Sequence, residues 1–122
     1  MPQDLWPSNI ADSKLTPPLA LLREQAALLG RKTRQLIDGE VTTETMGARF
    51  VHHFYIAAPT LQYRFELFSV SHGVTFYPLT LRHLSHSTAA ASEDEFKVKL
   101  QEILADQHTL NVVHSILAQV QP

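Results

Sequence analysis

Imidazole is the one side chain that changes charge near neutral pH and is also a common metal ligand, and this 122-residue chain carries seven histidines. Two are adjacent, His52 and His53, in a stretch that alternates like a β-strand. Neighbouring strand residues point to opposite faces, so one of the pair shares a face with Arg64 and Glu66 of the following strand. If Ala58 to Thr60 form the intervening loop, His52 stands opposite Glu66; if Ala57 to Thr60 form it, His53 takes that face. Either register assembles a His, Arg and Glu group. Such a group can bind an anionic ligand, or run acid-base chemistry with Glu66 setting the imidazole tautomer. The same residues also read as cross-strand polar pairs, each contributing about 0.2 to 1 kcal/mol to a solvated or partner-facing sheet.

A second constellation is His83-Leu-Ser-His86, whose imidazoles are three residues apart and reach one metal on a helical turn, with His72 or His108 as a third ligand. The pair falls in an expected loop with no acidic neighbour, so solvated histidines account for it and no metal or other cofactor is expected. Arg31, Lys32 and Arg34 suit the carbonyl end of a helix, where the macrodipole favours cations. Tyr55, Tyr63 and Tyr77 read as rings that bury area while their hydroxyls find partners at the edge. No phosphate-binding loop, dinucleotide fingerprint, nucleophile elbow, HExxH or EF-hand pattern occurs.

These residues need a scaffold, and periodicity supplies one. Residues 1–16 mix Pro, Asp, Ser and Asn with Leu5, Trp6 and Ile10, which predicts an irregular N-terminal arm, with 17–122 as a single domain. Thr16 reads as an N-cap and Pro17 as the first helical residue of an amphipathic helix over Leu19 to Ile37, stopped by Gly39. The period then changes to two. Three strands are expected, over Arg49 to Ala57, Leu61 to Val70 and Val74 to Leu81, with a three-residue turn at Ser71-His72-Gly73 and Pro78 at an edge or bulge. His83 to Ala91 reads as a loop. Ser92 with Glu95 forms a capping box that opens a helix, and Asp106 is the N-cap of another. The fold class predicted is α+β in the order α-β-β-β-α-α, a three-stranded antiparallel meander with helices packed on one face.

Composition bounds the function. A hydrophobic fraction of 44% with 18% charged residues suits one globular core rather than disorder. A net charge of −2 offers no positive field for nucleic acid, and no apolar run reaches the roughly 18 residues of a membrane span. The absence of cysteine excludes disulfides, thiolate sites and a cysteine nucleophile. With no secretory pattern after Met1, a cytoplasmic protein is expected.

The expected middle strand alternates Leu61, Tyr63, Phe65 and Leu67 against Gln62, Arg64 and Glu66. The first carries apolar residues on both faces, and Phe50, Phe68, Val70, Val74 and Phe76 add apolar bulk at the turn end of the sheet. A covering element is therefore expected, either the arm with Trp6 or a second copy of the chain. The reading favoured is a non-catalytic binding or protein-interaction module acting through the sheet face not covered by helices, with itself or another protein as partner. The alternative is a small-molecule binder or small enzyme using His52 or His53 with Arg64 and Glu66.

Overall fold

The structure is a computed structural model and describes residues 3–121. Its elements run α1 (Pro18–Lys32), β1 (Asp38–Met46), β2 (Arg49–Ala58), β3 (Tyr63–His72), β4 (Leu79–His83), β5 (His86–Ala90), α2 (Glu93–Leu104) and α3 (Gln107–Val120). The fold is α+β, and the strands form one antiparallel meander in sequential order. There are five strands rather than three. The two additions are β1, which precedes the expected sheet, and β5, which lies within the stretch read as a loop.

The helices close one face of the sheet over a single core. Leu22 and Ala26 of α1, Phe96, Leu100 and Ile103 of α2 and Ile116 of α3 meet Phe54, Ile56, Phe68, Val70, Leu79 and Leu81 there. Each helix is shaped by local chemistry. Pro18 occupies the first helical position of α1, one residue later than expected, with Pro17 as an N-cap that offers no side-chain bond. The helix stops at Lys32, five residues early, because Arg34 and Gln35 take left-handed backbone (φ 54° and 63°). Ile37 then enters the core from a loop, fully buried. Ser92 accepts from Glu95 N at 3.2 Å, so it caps α2 as expected, while the returning bond of Glu95 falls one residue before the cap, accepting from Ala91 N at 2.7 Å. Asp106 caps α3 through His108 N, and buried Thr109 donates to Ile103 O at 2.6 Å across the joint.

Register decides which residues share a face. Between β2 and β3 the pairs run Phe50↔His72 to Phe54↔Phe68 and then jump to Tyr55↔Glu66, leaving Leu67 as an extra residue. At this bulge Leu67 and Phe68 both enter the core, and beyond it the parity of β3 is reversed. Phe68 and Val70, expected on the uncovered face, therefore lie buried beneath the helices. The expected turn at Ser71 to Gly73 is also corrected. His72 still belongs to β3, residues 73–78 form a longer connection, Val74 is exposed, and Pro78 lies before β4, where it withholds no ladder bond.

Candidate functional site

The sheet face turned away from the helices is polar. Across the five strands one row of paired residues reads Thr42, His53, Ser69, Arg82, Ser87, and the next reads Glu44, Val51, Ser71, Thr80, Ala89. Small hydroxylic residues fill its centre, and charges stand toward its margins. His53 lies between two carboxylates, with Nε2 2.8 Å from Glu44 and Nδ1 2.5 Å from Glu66. Partial burial pulls its pKa down, but the hydrogen bonds and charges of Glu44 and Glu66 outweigh that and raise it above the usual histidine value. Arg64 lies 4.1 Å over the Tyr55 ring and 3.4 Å from Glu40. Arg49 reaches only Ser71, at 3.4 Å, and Arg82 forms no ion pair among the described residues.

His53 and Glu66 thus meet as the alternation implies, although Tyr55, rather than either histidine, stands directly opposite Glu66. Arg64 belongs to the same face but pairs elsewhere. A concavity of about 300 Å³ on this face is lined by His53, Glu44, Arg49, Ser69, Ser71 and Arg82 among others; Arg64 and Glu66 do not line it. With both ring nitrogens held by carboxylates, His53 has none free to take a substrate proton.

His52 faces the helix side and is buried. Its Nδ1 is 2.8 Å from Thr43 Oγ1, its Nε2 is 2.8 Å from His72 Nε2, and His72 Nδ1 is 2.7 Å from Gly73 O. A carbonyl only accepts, so His72 Nδ1 carries the proton and its Nε2, in the neutral ring, accepts from His52 Nε2–H. The Thr43 hydroxyl then donates to His52 Nδ1. Every nitrogen of the pair is engaged, and burial, followed by neighbouring His72, lowers the His52 pKa to about 4. Phe50 stacks on His72 and Phe76 meets its ring edge, with centroids 5.6 and 5.7 Å away. These aromatics, expected at an interface, close the end of the core around the pair.

The remaining cluster joins the end of β4 to the start of α3. One ring nitrogen from each of His83 and His108 and one carboxylate oxygen of Asp106 lie within 4.8 Å of one another. His83 Nε2 and His108 Nδ1 are buried without hydrogen-bond partners, and the two ring centroids are 5.9 Å apart. Burial lowers the His83 pKa, aided by His108 and His86 and opposed by Asp106. His86 is the exposed cross-strand partner of His83 and stands outside this cluster, while His72 is committed to His52.

Sequence reasoning overlooked Thr43 and Glu44, because the strand that carries them was not recognised. Asp106 was read only as a cap; its spacing to His108, both in one first helical turn, was the available signal for a shared site. Comparison with family models, curated proteins and solved structures finds no match to this chain.

Proposed function

We propose that the chain is a non-catalytic protein-interaction module that works through the outer sheet face, with a second copy of itself as the simplest partner. The observation that carries this reading is the separation of an acidic trio from an unpaired cation on that face. The Glu44, His53 and Glu66 trio stands on the β1 to β3 side, where Arg64 pairs with Glu40 and Arg49 reaches Ser71, while Arg82, on β4, lacks a carboxylate partner among the described residues. A two-fold axis running parallel to the strands near β3 carries β2 of one copy over β4 of the other. That arrangement sets each acidic trio against the opposing Arg82 and stacks the hydroxyl-lined centres as in aligned sheet packing.

The histidine geometry supports a binding role over a catalytic one. His52, His53 and His72 have both nitrogens occupied, so none is available as a general base. Four inter-strand spacings make the face roughly 20 Å wide. Such a face buries on the order of 500 Å² per copy, near the lower bound for a specific interface, which implies weak, salt-sensitive association.

Sedimentation velocity over a micromolar to millimolar series tests this. Dimer should form with concentration, weaken at high salt, and disappear in Glu44→Arg and in Arg82→Glu taken singly. An equimolar mixture of those two variants should restore it, because each contact then pairs opposite charges. A protein that stays monomeric throughout, or dimers indifferent to both variants, would overturn the self-association.

A further inference from the structure

We propose that His83, Asp106 and His108 form a binding site for a divalent transition cation, with zinc as the best-suited ion. Each ligand is placed by the fold for its own reason. His83 ends β4 on the face of Leu79 and Leu81, both buried in the core, so its ring turns toward the helices. Asp106 is held at the N-cap of α3 by accepting from His108 N at 3.1 Å through one oxygen, which leaves the other free. His108 follows in the first helical turn, beside the Phe65 ring, with centroids 6.2 Å apart.

Two buried imidazole nitrogens without partners are the observation that points to a ligand. Leaving a buried polar atom unsatisfied is costly, and both of these atoms belong to residues whose ligand atoms cluster with the Asp106 carboxylate. A tetrahedral zinc with bonds of about 2.0 to 2.1 Å sets its ligand atoms about 3.3 Å apart. The ligand atoms lie within 4.8 Å of one another, so binding would draw them together by rotation of the two rings. Imidazole with carboxylate suits zinc and its first-row neighbours rather than magnesium or calcium, which prefer all-oxygen shells. Three protein ligands leave a fourth position for water or an incoming ligand.

The bound ion would also tie the β4–β5 hairpin to the joint between α2 and α3. Metal uptake therefore has a structural readout independent of any activity and of the outer sheet face.

Zinc titration of metal-stripped protein by calorimetry, with cobalt(II) absorption as a geometry probe, tests the site. One equivalent should bind, cobalt should show the intense visible bands of low coordination number, and Tm should rise. His83→Gln and His108→Ala should each lower affinity at least tenfold, and Asp106→Asn should lower it while preserving the helix cap. His114→Ala, at an exposed position on α3, should leave binding unchanged. Circular dichroism of each apo variant separates lost binding from lost folding. Absence of stoichiometric uptake, or uptake undiminished in folded His83→Gln and His108→Ala, overturns the proposal. So does a zinc-soaked crystal with only water bridging His83 Nε2 and His108 Nδ1.

Discussion

Adjacent in sequence, His52 and His53 are driven to opposite protonation behaviour by the pleat of one strand. His52 faces the core with a pKa of about 4 against the ordinary 6.5, so as pH falls from about 6.5 to 4 the unfolded chain takes a proton that the folded chain refuses. Stability should decline across that window by up to roughly 3 kcal/mol. His53, raised by its two glutamates, acts in the other sense: its contribution is full below about 6.5 and is lost as pH rises through its folded pKa. NMR titration of the imidazole resonances should show His52 still neutral at pH 5 and His53 titrating above the ordinary value. Glu44→Gln with Glu66→Gln should bring His53 down without moving His52. Legible in the sequence from side-chain alternation was only that the two point to opposite faces and that one of them shares the face of Glu66. The His52 to His72 link was not, because it depends on pairings that the Leu67 bulge sets out of step with Glu66.

Whether a strand is legible depends on where it lies in the sheet. The interior strand β2 has Phe54, Ile56 and Ala58 buried and declares itself through apolar and aromatic residues on both faces, whereas the edge strands β1 (DGEVTTETM) and β5 (HSTAA) carry one bulky aliphatic side chain between them outside Met46. An edge strand can satisfy its ladder on one side with few apolar residues, so hydrophobic periodicity passes over it. What fixes β1 is close approach instead of bulk: a Cβ at Gly39 would stand 2.4 Å from Ala26 Cα and 2.5 Å from its Cβ. The residue read as a helix stop is the place where the helix lies on the sheet. Gly39→Ala should therefore cost about 1 to 3 kcal/mol by forcing α1 off β1, measured as a lower midpoint in urea. Gly47→Ala is a poor control, since its φ of 62° is itself strained for alanine, whereas Gly73→Ala, with open space around it, should cost far less.

At the scale of the molecule, the face left open by the helices is also left open by the arm. Residues 3–16 form no helix or strand, and Leu5, Trp6, Ile10 and Leu15 are all exposed, Trp6 at 71%. Of the apolar residues expected to need a cover, Phe68 and Val70 lie in the core, Phe50 and Phe76 pack on His72 and Val74 is exposed, so the division is between a polar outer sheet face and an arm that carries exposed apolar side chains. Trp6 is the sole tryptophan and reports on that division directly. In dilute protein its emission should match that of a water-exposed indole, quench readily with iodide, and change little on unfolding in urea, since indole is wet in both states. Association through the outer sheet face leaves Trp6 wet, so the emission should remain unshifted across the concentration range in which dimer forms. A blue shift that follows dimerisation and survives high salt would instead place the arm in the contact, where apolar burial rather than the pairing of Glu44 and Arg82 would hold the copies together.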